Sequence, residues 1–322
     1  MASAPPDIAQ LLDSGDAFAR GGDDKAAMAF YQSALRSAAA GAPIAPQLRD
    51  RLSAAQQFIA RRVESFQNAL ARSIEGLEPE DGAARTRLSH ALEMLRGERT
   101  IYPQQPTVLF HPYLAQRQFF EREEFDWVAE LEAATPAIRD ELSALLSDGA
   151  DFRPYVEKEA NRPTRDFHGL NENRSWSALY LWRDSKLVEE NAARCPRTLE
   201  ALAKVPLSRI GSRTPVVLFS RLEPGAHIPP HHGMLNCRLI CHLPLIVPPG
   251  CWLRVGNEKR QWEEGKLLIF DDSIEHEAMN PSGELRIILL FDIWRPELTA
   301  EERQGISAIF EAIDSFQALP DA

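Results

Sequence analysis

Residues 215–255 read PVVLFSRLEPGAHIPPHHGMLNCRLICHLPLIVPPGCWLRV, and this stretch decides the fold class. Short apolar segments rich in Val, Leu and Ile alternate with turns carrying Pro and Gly, which is the pattern of strands rather than helices. The texture continues through Lys266–Trp294, KLLIFDDSIEHEAMNPSGELRIILLFDIW. Many short strands with no helical period between them predict an antiparallel sandwich or barrel, here jelly-roll-like, and exclude an alternating α/β sheet.

On either side the pattern changes. Downstream, Thr299 and Glu302 make a capping box that opens a C-terminal helix through Phe316. Upstream, Trp176–Trp182 is strand-like and Thr198–Lys204 helical. Glu121–Leu146 reads as one helix, with Phe125, Val128, Leu131, Ile138, Leu142 and Leu145 at helical spacing. The segment Gly97–Thr107, GERTIYPQQPT, has the Pro and polar content of a linker. Before it lie Ala-rich helices. Between Ile8 and Ala42, the residues Leu12, Gly15, Phe18, Ala27, Tyr31 and Ala34 match the two-helix tetratricopeptide (TPR) pattern, whose small residues let paired helices approach. Pro46–Glu75 and Asp81–Arg96 are amphipathic without repeating it, and are read as closing off a single repeat that cannot bury its own face. A plain helical bundle is the alternative. The expected architecture is α+β, with a helical, TPR-like region over residues 1–100 and the jelly-roll, cupin-like part within 101–322.

With 322 residues, 44% hydrophobic and 26% charged, the chain has the composition of a globular protein and enough apolar material for a substantial core. Its 36 Lys+Arg against 47 Asp+Glu give a net charge of −11, which argues against a nucleic-acid partner. Cys195, Cys237, Cys241 and Cys251 form neither a disulfide framework nor a CxxC site, and read as reduced thiols of a cytoplasmic protein. The opening MASAPPDIAQ lacks the basic and apolar regions of a signal peptide. No apolar run approaches the roughly 20 residues of a membrane span.

Five of the eight histidines fall in the β-rich part: His227, His231 and His232 in PGAHIPPHHG, then His242, then His276 in an acidic turn. The first group, followed by Gly265, His276 and Asn280, matches the two halves of a cupin-like metal signature. Two strands distant in sequence would each present an imidazole at the barrel mouth. Imidazole suits Fe, Zn, Cu and Ni, and the spacing does not choose among them. The bland reading is histidines in Pro-rich surface loops. A non-haem iron oxygenase normally adds a carboxylate two residues after its first histidine, and here that position is Gly233. Asp271 and Asp272 read as an acidic turn or as partners outside the metal's own ligands. Arg286 opens a strand apolar on both faces. It needs an anionic partner, which is either an ion pair with Glu284 or Asp292 or the carboxylate of an organic co-substrate. Ser220 and His242 stand among apolar neighbours on nearby strands, so serine, histidine and arginine together could surround a dicarboxylate beside a metal.

The blocks PGAHIPPHHGMLNCRLICHL, NEKRQWEEGKLLIFDDSIEHEAMN and ELRIILLFDIWRPELT closely resemble the aspartyl/asparaginyl β-hydroxylase family. The resemblance runs from about Pro112 to Thr299 and is most specific over Ser220–Pro296. It implies a double-stranded β-helix oxygenase domain within 101–322 that uses Fe(II), 2-oxoglutarate and O2, releases succinate and CO2, and hydroxylates its substrate. Carried over by position, His231 and His276 match the iron ligands, and a glycine at 233 is the family's own choice. Ser220, His242 and Arg286 match residues that hold 2-oxoglutarate, and Trp176 matches a tryptophan lining that site. His232 and His227 do not fall on ligand positions. Ile240 departs from the pattern, standing where the family's animal enzymes carry an arginine.

The implied substrate is an Asp/Asn-type residue or a small amino-acid-like molecule, in a peptide, a protein or free. Two rivals are a cupin-type metal enzyme that does not use 2-oxoglutarate, and a TPR-type interaction module carrying an inactive oxygenase domain. The N-terminal helices are expected to bind a protein partner or to mediate self-association.

Overall fold

A computed structural model describes residues 7–41, 44–74, 76, 79–158 and 166–317. Ala42 and Glu75, the ends expected for two of the N-terminal helical stretches, lie outside the described residues. The chain forms two compact units, residues 1–99 and 100–322.

The first unit holds α1 (Ile8–Arg20), α2 (Asp24–Ala39), α3 (Arg49–Ser73) and α4 (Gly82–Arg96). Asp7 and Asp23 cap the first two helices, each accepting a hydrogen bond from a backbone N–H of the first turn. Leu12, Ala27, Tyr31, Ala34, Leu52 and Ala55 form the shared core of α1, α2 and α3. Gly15 is required there because a Cβ would run into the Tyr31 ring. Gly97, in the left-handed conformation at φ 74°, ends α4.

In the second unit, Glu121–Leu146 is not one helix. A 3-10 turn at Arg122–Glu124 is followed by α5 (Val128–Ala133) and α6 (Thr135–Ser147). Phe125 is extended, and Pro136 sits in the first turn of α6. A proline has no N–H to continue a helix, so it restarts one instead. The apolar spacing survives because both helices bury the same side. Short helices α7 (Glu189–Ala192) and α8 (Pro196–Leu202) follow, and α9 (Ala300–Gln317) closes the chain. At its start Thr299 Oγ1 accepts from the Glu302 N–H (3.2 Å) while Glu302 Oε2 accepts from the Thr299 N–H (2.8 Å), the expected capping box.

The strands are β1 (Phe119–Phe120), β2 (Arg153–Pro154), β3 (Trp176–Arg183), β4 (Lys186–Leu187), β5 (Val217–Leu222) and β6 (His227–His231). They continue as β7 (Arg238–Ile246), β8 (Trp252–Val255), β9 (Glu258–Gln261), β10 (Leu268–Phe270), β11 (His276–Met279) and β12 (Arg286–Trp294). A large antiparallel sheet runs β1-β10-β7-β12-β5-β3-β2, with β4 beside β3, and a small one runs β6-β11-β8-β9. This is the jelly roll expected from the sequence.

Alternation along the central strands sets up the two faces of the large sheet. Phe219, Leu239, Cys241, Leu243, Leu289 and Phe291 pack on one side with Leu131, Ile138, Leu142 and Leu145 of α5 and α6. Their neighbours Ser220, Ile240, His242, Arg286 and Ile288 face the other way, lining the cavity that the small sheet helps to close. Both faces are buried, which is why these strands read as nearly continuous apolar runs.

The stretch read as a linker is instead a strap that docks on the β unit from residue 100 onward. Thr100 and Asn257 exchange two hydrogen bonds, the Gln105 N–H donates to the Ser273 carbonyl (2.7 Å), and the Thr107 N–H donates to the Gly233 carbonyl (3.0 Å). Buried Gln104 donates to Asp271 (2.7 Å) and accepts from Asn236 (3.0 Å). The polar Gln104 side chain, which suggested solvent, is thus satisfied by buried groups of distant loops. Asp271 also meets Arg295 in a fully buried ion pair. Among the described residues, no helix is long and apolar enough to cross a membrane.

Candidate active site

His231 ends β6 and His276 begins β11, and the two are register partners across the antiparallel pair. Their ring centroids are 4.0 Å apart. Two consecutive prolines, Pro229 and Pro230, are tolerated in β6 because it is the edge of the small sheet and its register with β11 shifts between His231 and Ile228, so the pair falls in an irregular part of the ladder. His231 Nδ1 is 2.8 Å from the Pro229 carbonyl and His276 Nδ1 3.0 Å from the Ile274 carbonyl. A carbonyl only accepts, so each Nδ1 carries the proton and each Nε2 keeps its lone pair. Burial, and for His231 also the neighbouring His276, lowers their pKa values to about 3 and about 4. Both rings are neutral donors at ordinary pH, the form that binds metals. Among the described residues no set of three or more His, Cys, Asp and Glu is arranged around a common metal position. The pair is a two-imidazole site.

The other histidines divide. His232 borders the cavity beside His231. His227 points to the surface, where it meets Glu277 at 2.7 Å.

Gly233 occupies the position where a carboxylate-bearing residue would complete a three-ligand set, and the room is already filled. A Cβ built on it would overlap the carboxylate of Asp272. The Gly233 N–H donates to the Asp272 carbonyl at 2.6 Å. Arg238 Nη2 holds Asp272 Oδ2 at 3.0 Å, and Arg238 Nη1 holds Asp292 Oδ2 at 3.1 Å. Asp272 Oδ1 is buried without a partner among the described residues. Burial raises the Asp272 pKa, and the Arg238 charge pulls it back.

In the wall of the same cavity Arg286 is 1% exposed. Of its two expected carboxylate partners, Asp292 is taken by Arg238 and by the Val216 N–H (3.0 Å), and no bond to Glu284 forms. Its hydrogen bonds all leave from Nη1, to the Ser220 carbonyl (3.2 Å) and Ser220 Oγ (3.5 Å). Trp176 Nε1 donates to the same Oγ at 3.3 Å. Arg286 Nε and His242 Nδ1 are buried with no partner among the described residues. Burial lowers the Arg286 pKa to about 10, and no acid offsets it. An uncompensated guanidinium in a closed pocket calls for an anion.

The cavity, about 320 Å3, contains all six of these predicted residues in its walls: Trp176, Ser220, His231, His242, His276 and Arg286. The sequence reading missed several others. Tyr155 stacks on Trp176 with centroids 3.9 Å apart, and Phe167 sets its edge against His231 at 5.4 Å. Trp262 lies against Arg286 with the guanidinium carbon 4.7 Å from its ring centroid. The WEEGK block flagged the last of these, but nothing in its spacing shows what the indole touches.

Residues 132–296 match the family model described as aspartyl/asparaginyl beta-hydroxylase. The chain is 37% identical over 183 residues to the aspartyl/asparaginyl beta-hydroxylase of Homo sapiens, covering 56% of this chain and 23% of that protein. It is 36% identical over 175 residues to the ornithine lipid ester-linked acyl 2-hydroxylase of Rhizobium tropici, covering 53% and 58%. With the human aspartate beta-hydroxylase domain-containing protein 2 the identity is 32% over 212 residues, covering 64% and 55%. The chain therefore spans less than two thirds of each of these relatives.

Proposed function

Because the chain belongs to the aspartyl/asparaginyl β-hydroxylase family, we propose that it is an Fe(II)- and 2-oxoglutarate-dependent dioxygenase whose metal is held by His231 and His276. The observation that carries this reading is the pairing, in one cavity, of two neutral imidazoles with a buried arginine that lacks a carboxylate. A cupin-type enzyme acting without a carboxylate co-substrate has no use for such an arginine, and an inactive domain has no reason to keep both ends. When bound, iron together with 2-oxoglutarate and O2 supplies the oxidising chemistry of hydroxylation, with succinate and CO2 leaving.

The chain's own residues bind and orient. Arg286 and Ser220 grip the distal carboxylate of 2-oxoglutarate, with charge assistance from the guanidinium. His242 offers an unpartnered ring nitrogen beside it. Trp176, fixed by Ser220 and by Tyr155, walls the co-substrate from solvent. Phe167 covers His231, and the apolar side chains of Ile228, Ile240 and Leu253 keep the space between the sheets dry.

The substrate we propose is an Asp/Asn-type residue or a small amino-acid-like molecule. Residues 1–100 form a TPR-like recognition or assembly region, and 101–322 the oxygenase domain. Four buried, unpaired cysteines fit a reducing compartment, the cytoplasm. Anaerobic titration with Fe(II) and 2-oxoglutarate, followed by a substrate screen for succinate release, tests the reading. Absence of 2-oxoglutarate binding to the metal-loaded protein refutes it.

Two expectations follow from neighbouring geometry. Gly233→Asp does not add a ligand, because its side chain displaces Asp272 from Arg238. Overpacking of this kind costs about 1–3 kcal/mol, so the Tm falls and metal binding weakens. Tighter Mn(II) binding at an unchanged Tm would show that position 233 accepts a carboxylate after all.

The second concerns the strap. Fragment 101–322 is expected to bind metal and release succinate slowly without substrate, while losing activity on a large partner or losing its self-association. Fragment 117–322, without the groups that brace Gly233 and Asp271–Ser273, is expected to lose metal binding and melt earlier. Equal behaviour of the two fragments in melting and metal titration would make the strap dispensable.

A further inference from the structure

Trp262 sits in the turn between β9 and β10, which is pinned to β7 where the Gly265 N–H donates to the Pro244 carbonyl (2.9 Å) and the Val247 N–H to Glu264 (3.1 Å). The indole is 6% exposed and rests against His242, with ring centroids 5.9 Å apart. Its N–H is buried and finds no acceptor among the described residues, so the polar atom explains nothing about why a tryptophan stands here. Its face does. The Arg286 guanidinium lies 4.7 Å from the ring centroid, and the groups that meet that cation among the described residues, the Ser220 carbonyl and hydroxyl, the Cys251 thiol and the His242 ring, carry no negative charge.

We propose that Trp262 is a positioning residue that holds the Arg286 guanidinium through its ring face, so that the cation stays in place and un-neutralised until a dicarboxylate arrives. An acid at this site would fix the arginine equally well, but it would also cancel the charge that the ligand must meet. An aliphatic residue would fill the space but offer no attraction. A π face attracts the cation without supplying a counter-charge, and in a desolvated setting that attraction is at its strongest. The inference rests on the co-substrate reading of Arg286 given above.

The test compares two ligands on the Mn(II)-loaded protein by calorimetric titration: 2-oxoglutarate, and 2-oxobutanoate, which lacks the distal carboxylate. Wild type must prefer 2-oxoglutarate. If it does not, the co-substrate reading itself fails. Trp262→Leu is expected to reduce that preference about tenfold, with 2-oxobutanoate affinity held within about threefold. Trp262→Phe, whose weaker ring face remains, is expected to lose only about two- to threefold of the preference. A preference unchanged in folded Trp262→Leu overturns the proposal, as does equal weakening of both ligands, the signature of packing alone. If the Leu variant does not fold, the Phe variant decides by the same two criteria.

Discussion

His231→Ala and His276→Ala are each expected to lower Fe(II) affinity more than about a hundredfold, whereas His232→Ala and His227→Ala leave it within a small factor. Removing a group that merely orients a metal ligand typically costs ten- to a hundredfold in affinity, and removing a ligand costs more. In the proposed site each histidine is half of the protein's coordination. Neither has a spare behind it, since Gly233 carries no side chain and Asp272 is committed to Arg238. His227 is engaged with Glu277 at the surface, away from the register pair. Anaerobic Fe(II) titration of the four variants, each checked for folding, decides the assignment. Equal losses in His232→Ala and His231→Ala would overturn the ligand assignment.

Arg286→Ala is expected to raise the 2-oxoglutarate concentration needed for half-maximal turnover by roughly ten- to a hundredfold, the range of a lost charge-assisted hydrogen bond of about 1.5–3 kcal/mol. Iron affinity should change little. Arg286→Lys recovers charge but not the fork, so it falls between. Because Arg286 has no acid partner, its removal leaves no orphaned carboxylate behind, and the folded protein should tolerate the change better than removal of Arg238, which would strand both Asp272 and Asp292. An unaltered 2-oxoglutarate requirement in a folded Arg286→Ala protein would reduce the residue to a structural role.

The jelly roll was legible because alternation and turn residues are local properties. Ser220, His242 and Arg286 each stood out as a polar residue at an inward position of an apolar strand. His231 and His276 stood out by residue type, and their register across β6 and β11 brings them together. The features that escaped detection depend on partners far away in sequence. Pro136 signalled a restart of the helix, but the spacing of apolar residues continued across it and hid the break. Gln104 looked like a solvent-facing linker residue because its acceptor, Asp271, arrives from the other end of the chain. Within the chain, the partner of Arg286 was sought in Glu284 or Asp292, and is instead the Trp262 ring and the carbonyl and hydroxyl of Ser220.

The filling of the space at Gly233 limits how the site can change. In the proposed site a single substitution at 233 does not add a third protein ligand, because a side chain there collides with Asp272. Shortening Asp272 first would leave Arg238 with half its counter-charge, and replacing Arg238 would strand Asp292, which also holds the Val216 N–H. Every single step along that route passes through a less stable protein. The two-histidine arrangement of the proposed site is therefore locked in: a carboxylate at 233 is accommodated only if Asp272, Arg238 and Asp292 change with it.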